Sequence, residues 1–548
     1  VATYLGVLVL AIALQGRTAA RHTINGLACA IGGVTLLAVL SRLHPQWFPA
    51  DEHLEFLGSA RKLSYPLNYW NALAAFAAMG VPLLLGVALG ARTLLGQAVA
   101  AATLPLSALC VYLTISRGGS LALAVGIVVF LLFVPRRLDA LGTLLVAGAG
   151  SAILLAAASQ RDAVQNGVAS AAAIHQGTQL IWLAAIVCGG VALLQVAMGL
   201  AARHVERPAV LAPGRRALAV RALAVIALAC AIGVAAGAPG WANDQWQEFK
   251  APPGAVAGGG ETDVFSRLSG VNGNSRFQYW QAALDANATD PWKGIGPGTF
   301  EFWWARNGTT PAFIRDAHTL YFETLAETGI VGFVLLVGLL GFLLVAALAR
   351  SLRAAPALRI WIAAAVGGLA AFMTSAAFEW VWEMGAIACA GLVLAAVIVR
   401  GREDVADDQP RDEPRRRVAP RAVTALLAVA ALGAVAVPLA SALADRDSRD
   451  AAAMGRLPAA LADSRTAERL QPYAATPRLQ RALVLEQAGA LAQAAVAARS
   501  ATADEPTNWR TWFVLARIEA RAGQPAAAVR ALREARHLNP RSPLLGAR

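Results

Sequence analysis

GIVGFVLLVGLLGFLLVAALA, residues 329–349, carries no charged side chain and ends against Arg350. A backbone in lipid has no water to bond and must satisfy its own hydrogen bonds, which a helix does and an open strand does not. A stretch of about 20 apolar residues is long enough to cross the hydrocarbon core. This segment therefore reads as a transmembrane helix, and it fixes how the rest of the chain is read.

Outward from it, further apolar runs fall at roughly 2–15, 24–40, 71–90, 94–114, 119–135, 138–158, 179–201, 217–237, 359–378, 384–400 and 422–443. The composition agrees: 57% of the 548 residues are hydrophobic and only 15% charged, against roughly 25% charged in a soluble domain. Mean hydropathy is +0.53. These values exclude a soluble enzyme, a disordered chain and a nucleic-acid-binding domain. The expectation is an all-α polytopic membrane protein of about 12 spans. The net charge of +13 points to no nucleic acid, because the basic residues collect in short connections.

Those connections hold Arg17 and Arg21, Arg92, Arg136 and Arg137, the group from Arg203 to Arg221, then Arg350, Arg353 and Arg359, and finally the stretch from Arg400 to Arg421. They recur at every second loop, which places them in the cytoplasm. The longer, mixed-charge loops face outward, above all the one at 238–328. The organisation read this way is 1–237 N-terminal spans, 238–328 a large extracytoplasmic loop, 329–400 further spans, 401–421 a cytoplasmic linker, 422–443 a last span and 444–548 an extracytoplasmic tail. The protein is expected in the plasma (inner) membrane with any active site on the outer side. Val1 opens directly in an apolar run, with no cleavable signal in view.

The five cysteines, Cys29, Cys110, Cys188, Cys230 and Cys389, sit in apolar runs without ligand spacing and read as small buried hydrophobes. In the tail, Pro472, Pro506 and Pro540 recur about every 34 residues, and Gly489 and Gly523 share the interval. That is a tetratricopeptide-like period, clearest in NWRTWFVLARIEARAGQPAAAVRALREARHLNP at 508–540. About two repeats are expected, offering a concave surface to an envelope protein.

Three stretches carry candidate chemistry. SRGGS at 116–120 sets Arg117 at the outer end of a helix, either snorkelling to the interface or binding an anion, with Gly118 and Gly119 admitting a phosphate to the backbone. NSRFQYWQAALDANATDPWKGIGPGTFEFWWARNG at 274–308 opens on Arg276, with Phe277, Trp280 and Leu284 on one helical face. Its GIGPG follows no strand and is not a dinucleotide fingerprint. Six of the 14 tryptophans fall between Trp241 and Trp304, suited equally to sugar faces and to interfacial anchoring. RDAHTLYFETLAETGIVGF at 315–333 sets His318 just before a span, beside Tyr321 and Glu323. A histidine there is either structural or a general base. Nothing in the spacing makes a case for a metal, and no cofactor is expected.

Taken in order, SRGG, SRFQYWQAAL, DPWKGIGPGTF and AHTLYFETLAETGIVGF, with YPLNYWNALA at 65–74 before them, resemble the O-antigen ligase and polymerase superfamily over about residues 60–400. Members have about twelve helices with the large outer loop after the ninth. Here eight precede it, as if one N-terminal helix were missing. The resemblance implies a glycosyltransferase that takes glycan from a polyprenyl-diphosphate donor to a hydroxyl on a glycan, lipid or protein acceptor outside the membrane. It implies that Arg117 and Arg276 bind the diphosphate and that His318 is the essential histidine, with Lys293, Tyr321, Glu323 and Trp280 as further binding candidates. A flippase or carrier of an anionic substrate, and a non-catalytic scaffold, are the competing expectations. The nearly charge-free spans argue against the first, and three polar candidates on one side argue against the second.

Overall fold

The computed structural model describes residues 2–15, 20–48, 61–167, 169–204, 238–251, 273–401 and 418–545. The expected span at 217–237 with Cys230, the arginines from Arg207 to Arg221, part of the large loop and most of the 401–421 linker lie outside these residues.

Among the described residues the chain is all-helical. The helices are α1 (Ala2–Gln15), α2 (Ala20–Leu43), α3 (Trp70–Gly90), α4 (Leu94–Thr114), α5 (Arg117–Phe133), α6 (Arg137–Ser159), α7 (Asp162–Asn166), α8 (Ala171–His204), α9 (Ala238–Lys250) and α10 (Arg276–Thr289). They continue with α11 (Phe300–Asn307), α12 (Leu320–Arg353), α13 (Pro356–Ala376), α14 (Gly385–Arg400), α15 (Val418–Ala453), α16 (Leu457–Leu470), α17 (Ala475–Gln487), α18 (Leu491–Asp504), α19 (Trp509–Arg521) and α20 (Pro525–Leu538). Eight helices are long and apolar enough to cross a membrane, and three shorter apolar ones, at Thr3–Gln15, Arg117–Phe133 and Gly385–Arg400, match the remaining expected segments among the described residues. The protein is an all-α polytopic membrane protein.

Small residues decide its centre. Helices α3, α5 and α13 pack on one another, and a Cβ built on Gly367 would lie 2.9 Å from the carbonyl oxygen of Gly126, while one on Gly86 would lie 2.7 Å from Ala364 Cβ. Lipid tails are as apolar as leucine, so helices associate through close packing of this kind. The most apolar stretch of α3 is wholly buried, whereas that of α12 is 11% buried. Val334, Leu335, Phe342 and Val345 on α12 point away from the protein, as a lipid-facing helix requires.

The helix ends sort into two groups. Tyr69 before α3, Ser116 and Arg117 opening α5, Arg276 opening α10 and the α13–α14 turn meet at one end of the bundle. Arginines gather at the other: Arg136 donates to the Leu89 carbonyl at the end of α3, and Arg350 donates to the carbonyls of Val397 and Ile398 at the end of α14, at 3.0 and 2.7 Å.

The last apolar segment does not stop near 443. It runs unbroken to Ala453 as α15, with Pro438 inside it. Three helical hairpins follow in series: the end of α15 with α16, α17 with α18, and α19 with α20. Gly455, Gly489 and Gly523, at φ 73, 76 and 73°, turn the three hairpins at equal spacing. The sequence reading had distinguished only two such units.

Candidate functional site

The large loop builds its own small core from Tyr279, Ala283, Ala286, Phe300, Trp304, Ala317 and Ala326. The buried face of α10 is thus Tyr279, Ala283 and Ala286, one position away from the Phe277–Trp280–Leu284 face read from the sequence; Leu284 is 40% exposed. Trp304 is 2% exposed and donates to the Ala312 carbonyl at 2.9 Å, so it serves the core of the loop.

Arg276 is the first residue of α10, entered through Asn274 and Ser275, both at positive φ. Its Nε donates to the Phe378 carbonyl at 2.8 Å, and its Nη2 donates to Glu379 Oε1. Nη1 has only a 3.4 Å contact to the Gly273 carbonyl. Glu379 is 3% exposed and accepts through its other oxygen from the Tyr69 hydroxyl. Tyr69 is in turn bonded by Asn71 at 3.1 Å and stacked 4.5 Å from Trp380. A buried carboxylate needs partners for both oxygens, and Arg276 and Tyr69 provide them. Burial first, and the nearby positive charge of Arg117 as well, lower the Arg276 pKa.

Arg117 is therefore within electrostatic reach of Arg276. Ser116 caps α5 by accepting from Gly119 N at 3.2 Å, and Gly118 lies 3.8 Å from Phe378 Cβ as measured from an ideal Cβ. The same construction on Gly119 ends 2.4 Å from Ala74 Cβ. That glycine thus serves the α5–α3 contact, a correction to its reading as a phosphate approach.

His318 ends the loop. Its φ is 55°, and Nδ1 lies 2.9 Å from the Asp316 carbonyl. A carbonyl only accepts, so Nδ1 carries the proton and the neutral ring presents a bare lone pair at Nε2. The ring packs 5.3 Å from Tyr279, one turn along from Arg276. Burial, and the charge of Arg276, depress the imidazole to about 4, against a smaller upward pull from the Asp316 bond. Arg117, Arg276 and His318 are thus brought together.

The other expected residues are less tightly grouped. Tyr321 donates to the Met373 carbonyl at 3.3 Å. Glu323 is buried and accepts from Ala317 N at 2.7 Å, which holds the His318 turn. Trp280 packs against Phe322 and Phe378 at 5.6 and 6.0 Å, and its buried indole N–H meets no acceptor among the described residues. Lys293 is exposed on the glycine-rich turn, where its backbone N–H bonds Asp290 at 3.2 Å.

That turn has a role the sequence did not disclose. Gly298 N and Phe300 N donate to the Glu327 carboxylate at 2.8 and 3.1 Å, and Ile295 N and Gly296 N bond the carbonyls of Ala326 and Glu327 at 2.9 and 3.0 Å. GIGPG is a cradle for the protein's own glutamate. Asp316, Glu323 and Glu383 also converge, each offering a carboxylate oxygen within 4.8 Å of the others. These three are the residues of the site able to hold a divalent cation. Burial first and Glu383 next raise Asp316 to about 7.

Five non-glycine residues have positive φ among those described: Asn68, Ile115, Asn274, Ser275 and His318. Each is at, or within two residues of, Tyr69, Arg117, Arg276 or His318. Left-handed backbone costs roughly 1–3 kcal/mol per residue and gathers where function demands it. Residues 167–337 match the O-antigen ligase family. That stretch, under a third of the chain, is similar to the O-antigen ligase family. Within the matched stretch lie Arg276, Lys293, His318, Tyr321 and Glu323. Arg117, Tyr69 and Glu379 lie outside it and meet the matched stretch through the fold. No curated protein sequence matches the chain.

Proposed function

We propose that the protein is a membrane glycosyltransferase that moves glycan from a polyprenyl-diphosphate donor to an acceptor hydroxyl at the outer face of the plasma membrane. The observation that supports this best is His318: a neutral ring with its proton on Nδ1, within the field of the Arg276 guanidinium, which in turn feels Arg117. The acceptor oxygen attacks the anomeric carbon and its proton passes to Nε2. The carbon–oxygen bond to the diphosphate breaks, and the electron pair leaves with the lipid diphosphate. Arg276 Nη1 and Arg117 stabilise that charge, since guanidinium matches phosphate oxygens with paired donors. Glu379 and Tyr69 act as positioning residues that fix Arg276. One displacement inverts the anomeric carbon. The leaving group is already a weak base, so this reading assigns no step to a general acid or a metal.

The sidedness in this reading follows from charge: arginine-rich connections at the far end of the bundle belong in the cytoplasm, which leaves the site outside. The tail is read as tetratricopeptide-like and extracytoplasmic.

The test is transfer from a purified lipid-linked oligosaccharide in proteoliposomes. His318→Ala should lower the rate by about 10²–10⁴ with folding retained. Arg276→Lys should behave nearly as badly as Arg276→Ala, because an ammonium cannot reach Phe378, Glu379 and phosphate at once. Normal transfer by His318→Ala would remove the base from the mechanism.

A further inference from the structure

The last hairpin rests on the large loop. Arg510 at the start of α19 reaches Glu301 of α11, with Nη1 and Oε2 3.3 Å apart. Arg541 donates to the Arg306 carbonyl at 2.8 Å, and Arg306 Nη2 lies 3.0 Å from His537 Nε2. Between loop and tail these contacts border a half-open cavity of about 380 Å³, within the roughly 300–1,000 Å³ of ordinary ligand pockets.

Charge and shape narrow its ligand. Arg510 is paired to Glu301, and its guanidinium is further occupied 4.8 Å over Phe313 and 5.4 Å from Trp509. Among the described lining residues Arg510 is the one cation, and it is paired. It offers the rings of Trp509, Phe302 and Phe313, edged by Asn539 and Thr310. Phe313 is 66% exposed. The Asn539 amide and the Thr310 hydroxyl make no hydrogen bond within the described residues. Flat apolar faces bordered by unused amide and hydroxyl groups complement a pyranose, which has a C–H face and a rim of hydroxyls. The walls are α11 and the start of α19, together with the non-helical stretch 310–314 and the turn after α20.

We infer that this cavity is a second binding site, separate from the Arg117–Arg276–His318 cluster, for a short neutral saccharide. It is built jointly by the large loop and the last hairpin. Residues 310–314 form one wall and lead directly to Asp316 and His318, so a sugar bound here sits on the loop that carries the base. That this saccharide is part of the transferred or accepting glycan rests on the proposed function; the binding itself does not.

The full chain in nanodiscs, titrated by calorimetry with neutral disaccharides of glucose, galactose, mannose, rhamnose and N-acetylglucosamine, tests it. At least one should bind. Trp509→Ala and Asn539→Ala should each weaken that disaccharide by about fivefold, Trp509→Phe should retain most of the affinity, and His318→Ala should bind as the parent does. Thermal melts check that the tail remains folded. Absence of binding by every disaccharide, binding indifferent to both cavity variants, or preference for a proline-rich control peptide would overturn the inference. Disaccharide binding in a protein that transfers no glycan would reject the proposed function and leave this site standing.

Discussion

A histidine seldom adopts a left-handed backbone without support, and here the support is specific. The Asp316 carbonyl fixes the ring, Glu323 fixes Ala317 N, and the Tyr279 ring backs the imidazole. The cost of burying Asp316 gives a measurable consequence. Its carboxyl titrates near 7 when folded against 3.8 for the ordinary group, so the folded state holds that proton more tightly. Stability is then complete below about pH 4 and declines as pH rises to about 7. Asp316→Asn should melt a few degrees above the parent at pH 8, with the two curves converging as pH falls through that interval. An equal difference at pH 4 and 8 would contradict the assignment. Arg117 and His318 were legible because a charged or titratable group beside an apolar span stands out in the sequence, and Arg276 because it opens an amphipathic stretch of the loop in a motif the resemblance covers. Glu379 also stands out there, in FEWVWEMG at 378–385, yet its meaning depends on Arg276 and Tyr69, roughly 100 and 300 positions away. No local pattern encodes that pairing. Nor does spacing reveal that Glu383 meets Asp316 and Glu323.

Among elements, α12 shows where a hydropathy reading stops. The apolar run from 330 onward was plain, but the helix begins at Leu320 and breaks at Gly329, with φ 66 and ψ −167°. A Cβ there would lie 2.3 Å from the Trp292 carbonyl oxygen. Gly329→Ala should therefore separate the kink from the glycine-rich turn and cost about 1–3 kcal/mol. The checks are a lower melting temperature and loss of transfer together, from a residue that touches no substrate. Alanine tolerated in both assays would show that the kink is soft. Tail helices were legible as a period. The joining of α15 to the first of them was not, because apolar composition reports what a helix faces and says nothing of where its hydrogen bonds end.

For the whole molecule, the arrangement of arginines carries the topology. Single cysteines at Pro311 and Asn539, in a background without the native thiols, should react with a membrane-impermeant maleimide in intact cells. Cysteines at Arg92 and Arg137 should react only after the inner membrane is opened. The reverse pattern would invert the protein and place the His318 cluster in the cytoplasm. The fold class followed from composition alone, and most spans followed from runs of apolar residues. Their packing order did not, since α3, α5 and α13 are neighbours through glycines and alanines that look alike in any order.

One feature of α15 sets a limit on the tail. A helix of 36 residues extends about 54 Å at 1.5 Å per residue, and nothing slack separates its lipid-facing part from the first hairpin. The tail hairpins therefore sit on a short stalk rather than a tether, and their distance from the apolar part of α15 is fixed.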